Sequence, residues 1–308
     1  MRTWKQEGWL KRVNSEWAKD KEQGERRLDG IRQMLAQDRG KTPQWFVNGQ
    51  GQTMVVIPGP VEFVMGSPVT ESGRWEEETQ HRKRISRTVA IAAKSVTVEQ
   101  YAQFFKGDAG TEGAARTADL PVGGVDWHKA ARYCNWLSRE EGISEAQWCY
   151  EIEGQVTKLK ENYLSLTGYR LPTEAEMEYA IRAGALTSRH FGETETLLSK
   201  YAWCSVNSQD KTSPVGSQRP NDLGLFDVHG NVYTWCQERY KVHLTGKRPE
   251  VIEDREDEVL SVGPENRVAR GGSFATRPSI IRSAFRDFSA PTNQVHFIGF
   301  RPARTVKP

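Results

Sequence analysis

The segment "RGGSFATRPSIIRSAFRDFSAPTNQVHFIGFRPAR", residues 270–304, sets guanidinium groups and aromatic rings among glycines, prolines and small residues. Its chemistry-bearing side chains are Arg277, Arg282, Arg286, Asp287, Phe288, Asn293 and His296. Guanidinium forks pair bidentately with carboxylates, and aromatic rings give broad contact at little ordering cost, so the composition suits recognition of a protein or peptide. Arg277, Arg282, Arg286 and Asp287 are the foremost candidates for an exposed recognition surface. The competing expectation places Phe285, Phe288 and Phe297 in the core, with the arginines paired at its rim.

Other chemistries find less support. The chain has no G-x-S-x-G, and "GSFATRP" lacks the G-K-[ST] ending of a phosphate loop. Glu174, Glu176 and Glu178 open a helix, where acids act as cap and surface groups. Cys134, Cys149, Cys204 and Cys236 form no C-x-x-C and are read as buried thiols. Of the six histidines, none makes an H-x-x-x-H pair on an expected helix; His128 and His229 are read as local capping or core partners. The acidic run "KRPEVIEDREDEVLSVGPEN" is read as a solvated loop, because carboxylates alone do not specify calcium geometry.

These groups need a scaffold. Residues 5–38 are charged, with Trp9, Leu10, Val13, Trp17, Leu28, Ile31 and Leu35 as an interrupted apolar stripe. We expect a helical N-terminal arm over residues 1–45, joined by a turn-rich link to a single domain over 50–305. "TMVVI" and "VEFVM" read as strands, and the Pro58-Gly59-Pro60 turn between them suggests a hairpin. "SPVTESGRWEEETQHRKR" reads as a polar loop and "ISRTVAIAAKSV" as strand. Thr97 with Gln100, and Thr173 with Glu176, form capping boxes that predict helix starts. Between them, Ala130, Tyr133, Cys134 and Leu137 recur at helical spacing, and Gly142 is a natural stop. Helices in the first two thirds and an irregular, sheet-bearing end give an α+β class.

Bulk properties narrow the partners. The 43 Lys and Arg against 40 Asp and Glu leave +3 over 308 residues, so no general attraction to nucleic acid or to a membrane surface is expected. Charged residues at 27% and a mean hydropathy of -0.69 suit a soluble globular protein. No apolar run is long enough to span a bilayer, and "MRTWKQEGWLKR" lacks the apolar segment of a secretory signal, so a cytoplasmic location is expected.

Six passages, "FVMGS", "KSVTVEQYAQFF", "PVGGVDWHKAARYCNWLS", "GYRLPTEAEMEYAIRAG", "NDLGLFDVHGNVYTW" and "RVARGGSF...GFRPAR", occur in the order and spacing of one family. Through them, residues 53–305 resemble the formylglycine-generating-enzyme/sulfatase-modifying-factor family. The resemblance implies one loop-rich domain of modified C-type-lectin type with short twisted sheets. In catalytic relatives a cysteine pair after "RGGS" works with copper and oxygen to oxidise a substrate cysteine; Thr276 and Ile281 stand at those positions here. Neither can replace a thiolate as a soft-metal ligand. The usual "GNVWEW" is "GNVYTW", with Thr234 in place of a glutamate that could bind calcium or an arginine. A second branch joins thiols to histidine derivatives with iron held by another domain's histidines, a set this chain lacks.

The resemblance therefore points to a non-catalytic recognition module with no cofactor, belonging to a larger signalling or defence system. The alternative is a metal-dependent oxidoreductase using copper or iron. The tail, bracketed by "RGGS" and "GFRPAR", also resembles the hypervariable portion of lectin-fold proteins diversified by retroelements. The amino-terminal arm, with Trp9, Trp17, Leu28 and Leu35, is the expected connection to an effector or signalling domain.

Overall fold

Alternation along two apolar strands explains the centre of the molecule. In β2 (Thr53–Ile57) and β5 (Val89–Ala92), Met54, Ala90 and Ala92 face one buried cluster, while Val55, Ile57, Val89 and Ile91 face another. A strand covered on both faces reads as an unbroken apolar run, as "TMVVI" and "VAIA" do. They pair antiparallel at the middle of a five-stranded sheet that continues on one side to β1 (Trp45–Val47) and on the other to β14 (Ala303–Thr305) and β8 (Tyr169–Arg170). The computed structural model describes residues 45–105, 118–154, 156–241, 251–255, 260 and 262–307. The chain divides into Met1–Pro43 and Gln44–Pro308. The arm expected over 1–45 lies outside the described residues, apart from Trp45 at the start of β1.

Helices cover the two faces. Helix α1 (Val98–Phe104) starts at the Thr97–Gln100 capping box, and α2 (Trp127–Glu140) starts where Asp126 accepts from the Lys129 amide. Ala130, Tyr133, Cys134 and Leu137 of α2 join Met54, Ala90 and Ala92 in one cluster. Met177, Ala180 and Ile181 of α3 (Glu174–Arg182) pack on the other face with Val55, Ile57, Val89 and Ile91. Each fully buried valine, isoleucine, leucine or methionine among them contributes about 1.5–3 kcal/mol relative to exposure. The last described helix, α4 (Leu198–Tyr201), is one turn long.

A second sheet has β4 (His81–Ile85) at its centre, between the antiparallel β3 (Val61–Met65) and the parallel β10 (Ile252–Glu253). The hairpin expected across Pro58-Gly59-Pro60 does not form: β2 pairs with β1 and β5, and β3 pairs with β4. A Cβ on Gly59 would lie 2.2 Å from the Arg87 carbonyl, so the turn is a crossing point between two sheets. β4 occupies the end of the expected polar loop, where His81, Lys83 and Ile85 alternate with exposed Arg82 and half-buried Arg84. β1 lies within the expected link. β6 (Tyr150–Glu153) and β7 (Val156–Leu159) form a separate hairpin.

The third sheet carries the tail, in the order β12 (Arg286–Ser289), β11 (Arg267–Arg270), β9 (Tyr233–Arg239) and β13 (Ile298–Gly299). Two indoles tie it to α2: Trp127 donates to the Cys236 carbonyl at 2.8 Å and Trp235 to the Val125 carbonyl at 2.9 Å. The four cysteines are free and buried.

The glutamates of α3 correct the expectation of surface groups. Glu174, Glu176 and Glu178 are at most 5% exposed. Glu176 closes the capping box and also takes Arg170 at 2.7 Å and Arg87 at 2.5 Å; Glu178 takes Arg182 at 2.9 Å together with Arg270. Burial alone would raise the Glu176 carboxyl, yet Arg170 and Arg87 hold it at about 2. Short, multiply hydrogen-bonded pairs are what make buried charge tolerable.

Candidate functional site

The turn after β11 builds the site. Its tight start is set by Gly271 and Gly272, and Ser273 then takes the Thr276 amide on its carbonyl at 3.1 Å. The Ser273 amide donates back to Thr276 Oγ1 at 2.9 Å, and the two side-chain oxygens lie 3.1 Å apart. Thr276 Oγ1 donates to the Tyr233 hydroxyl at 3.2 Å, at the head of β9. Burial raises the Tyr233 phenol, with the neighbouring Asp287 carboxylate adding to the shift, so the phenol stays protonated at neutral pH. Thr276 and Ile281 converge: a Cβ on Gly272 would lie 3.2 Å from Ile281 Cγ1 and 3.7 Å from Thr276 Cγ2. Ile281 is buried with Phe191, Leu198, Ala202 and Cys204.

Around this hydroxyl cluster the tail divides. Asp287 on β12 is half-buried and takes its neighbour Phe288's amide at 2.8 Å. Phe288 is 44% exposed and packs on Tyr240 with centroids 4.4 Å apart. Arg277 is exposed at the head of the short turn Pro278–Ile280. Asn293 is exposed and donates to Ser289 Oγ at 3.0 Å. The exposed His296 ring stands 5.8 Å from Phe274 and 5.5 Å from Phe297. The loop carrying His296 depends on Gly123, where a Cβ would lie 2.1 Å from the His296 carbonyl oxygen.

Two of the expected surface arginines are not on the surface. Arg282 is 2% exposed and closes on Glu71 at 2.6 Å, Glu78 at 2.6 Å and the Gly73 carbonyl at 2.7 Å. Arg286 is 4% exposed, takes Glu174 at 2.5 and 2.9 Å, and lies over the Tyr240 ring. Their carboxylate partners are more than a hundred residues distant, so no local spacing pairs them. Of the phenylalanines, Phe285 is buried, Phe297 half-buried and Phe288 exposed. Tyr233, Ser273 and Phe274 complete the site and were not singled out from sequence; their signal is adjacency to Thr276 and membership of "GNVYTW" and "RGGSF".

The arrangement has little capacity for metal or thiol chemistry. Among the described residues no group of three or more His, Cys, Asp and Glu side chains could hold a metal ion. Thr234, at the altered glutamate position, is 1% exposed, and Cys236 is fully buried with its thiol pushed up by burial, away from the reactive thiolate. What the turn presents is a hydroxyl network of Ser273, Thr276 and Tyr233, with exposed Arg277 next along the chain and the exposed His296 ring reaching it through Phe274 and Phe297. Among the described residues no helix is long and apolar enough to cross a membrane.

Similar proteins agree with this geometry. The chain is 30% identical over 293 residues to the formylglycine-generating enzyme of Streptomyces coelicolor, a match covering 81% of this chain and 88% of that protein. It is 30% identical over 191 residues to the chaperone protein LppX of Paenibacillus barcinonensis, covering 51% of this chain but only 60% of LppX. The solved structure of Treponema denticola variable protein 1 superposes with a TM-score of 0.70 at 26% identity, covering 86% of this chain and all of that one. The family described as the sulfatase-modifying factor enzyme 1-like domain matches residues 41–306. With residues 41–306 matched and its four cysteines free and far apart along the chain, the chain belongs to that family as a member lacking a close cysteine pair.

Proposed function

We propose that this protein is a non-catalytic recognition module that binds a protein or peptide through the face around Thr276. The observation that carries the reading is the replacement of the thiol pair by Thr276 and Ile281, with the threonine hydroxyl consumed by Ser273 and Tyr233. Arg277, Asp287, Phe288, Asn293 and His296 are the ligand-facing groups. Arg282 and Arg286 act by holding the face in shape. Exposed aromatic and guanidinium groups over a rigid sheet give contact without ordering cost.

The finer features belong to the same proposal. The domain is of modified C-type-lectin type, it serves within a signalling or defence system, and its tail is the segment that differs among relatives. Likeness to a Treponema protein named as variable supports that last point. Four free buried thiols favour a reducing compartment, the cytoplasm. A nearby near-repeat of the DNA for residues 270–304 beside a reverse-transcriptase gene is the expected genomic sign of diversification.

The experiment is affinity capture with the full chain, repeated with Arg277→Ala and His296→Ala together. One reproducible partner, lost in the double variant while thermal stability is retained, is the expected result. Capture unchanged by the double variant moves the site elsewhere. Conversion of a sulfatase-type cysteine peptide to its aldehyde by the copper-loaded protein overturns the non-catalytic reading.

A further inference from the structure

The turn Val228–Asn231 underlies the candidate face. The Gly230 amide donates to the Gly271 carbonyl at 2.8 Å, and the Phe274 amide donates to the Asn231 carbonyl at 2.8 Å. Gly230 has no room for a side chain, since a Cβ would lie 2.1 Å from the Trp203 carbonyl oxygen. At the centre of this turn His229 is 0% exposed, and both its ring nitrogens lack a hydrogen-bond partner among the described residues. Its ring meets His190 at 5.1 Å and Phe191 at 5.6 Å, and Phe191 in turn packs with Ile281.

The charged surroundings are one-sided. His190 and Arg189 come from the loop 188–192, Arg182 from α3 and Arg270 from β11. The Tyr201 ring of α4 lies against His190. Glu178 lies between Arg182 and Arg270 and is engaged by both. Asp227, at the other side of the turn, gives its carboxylate to the Gly216 amide. Two imidazoles at this separation invite comparison with a metal site, but three guanidiniums nearby oppose a second cation there.

We propose that His229 is an acid-sensitive latch for the Thr276–Ile281 wall: the neutral imidazole lets the turn close under the face, and its protonation opens the turn. Regulation of binding by this latch rests on the recognition reading above; the latch itself does not. Burial, then His190 and the three arginines, hold the proton affinity of His229 well below that of a free histidine. The sign follows from that depression. An opened turn takes up a proton that the closed turn refuses, so closure is complete above pH about 6.5 and weakens as pH falls below it. The limiting dependence is one proton, about tenfold in the opening equilibrium per pH unit.

The test is hydrogen exchange of the full chain between pH 7.5 and 5.0, corrected for intrinsic rates and compared with His229→Leu. Protection over residues 228–231 and 271–281 should fall by up to about tenfold per unit below pH 6.5, relative to β2 and β5. In His229→Leu this differential dependence should vanish. Parallel behaviour of the two proteins overturns the latch. Should the leucine variant fail to fold, the wild-type His229 ring followed by NMR decides: no titration down to pH 5 in the closed state supports the proposal, and ordinary titration near 6.5 ends it. A partner released at pH 5.5 from the wild type and kept by His229→Leu extends the latch to binding. Acid opening with no partner at any pH preserves the latch and removes the recognition reading instead.

Discussion

Helix α3 and the tail both bring charge to the third sheet, yet they use it oppositely. On α3 every glutamate is buried and held by arginine, Arg286 on Glu174, Arg170 and Arg87 on Glu176, and on Glu178 both Arg270 and Arg182 of the same helix. Along the tail, Arg277, Phe288, Asn293 and His296 stay exposed while Arg282 and Arg286 turn inward to carboxylates. Whether a tail arginine lies inside or at the surface therefore follows from the partners that other elements bring to it, carboxylates for Arg282 and Arg286 and backbone carbonyls for Arg301. The difference is one of partners in space, because the side chain is the same.

Breaking the inward pairs should have the largest effect. Arg282→Ala leaves Glu71 and Glu78 without their shared cation, and the expected cost is about 3–5 kcal/mol in denaturant unfolding. A cost under about 1 kcal/mol would erase the distinction between the two regions.

The carboxylates of α3 give the next effect, at strongly acid pH. The Glu176 carboxyl, which burial would raise, is held at about 2 by Arg170 and Arg87, and Glu178 is likewise lowered by Arg182 and Arg270 against its burial. A depressed carboxylate contributes stability that is complete above its unfolded value, about 4.3, and is lost as pH falls toward 2. Thermal melting at stepped pH should show that loss in the wild type, and a flatter profile below pH 4.3 in Glu176→Gln. Equal slopes would mean that these pairs do not govern acid stability.

A smaller, local effect is expected where the two regions are joined to the core. Gly123→Ala places a methyl group against the His296 carbonyl, so about 1–3 kcal/mol of stability should be lost and amide signals of residues 293–298 should shift. The smallest stability effects belong to the exposed groups. Phe288→Ala and His296→Ala should change unfolding free energy by no more than about 0.5 kcal/mol, while weakening partner binding by about 1 kcal/mol or more in titration calorimetry. Large stability losses in both would place these side chains in the framework with Arg282.

Local signals were readable wherever the physics is local. Thr97 with Gln100 and Thr173 with Glu176 cap helices within three residues of themselves, and the structure keeps both. The α2 stripe of Ala130, Tyr133, Cys134 and Leu137 follows from helical period and is buried throughout. The hairpin across residues 58–60 was misread because an apolar pair of strands around a turn does not say which sheet each strand joins; that depends on β4 and β5, which begin only at His81 and Val89.

By itself the amino-acid sequence determined the α+β class, the helix starts, the family motifs and the absence of thiols at Thr276 and Ile281, all properties of residue type and near spacing. Only the tertiary structure decided which arginines meet carboxylates, that Glu174, Glu176 and Glu178 lie inside, and that His229 lies among three arginines. The reason is distance along the chain. Arg282 to Glu78 spans 204 residues and Arg286 to Glu174 spans 112, and no periodicity encodes a contact that folding must close across several elements.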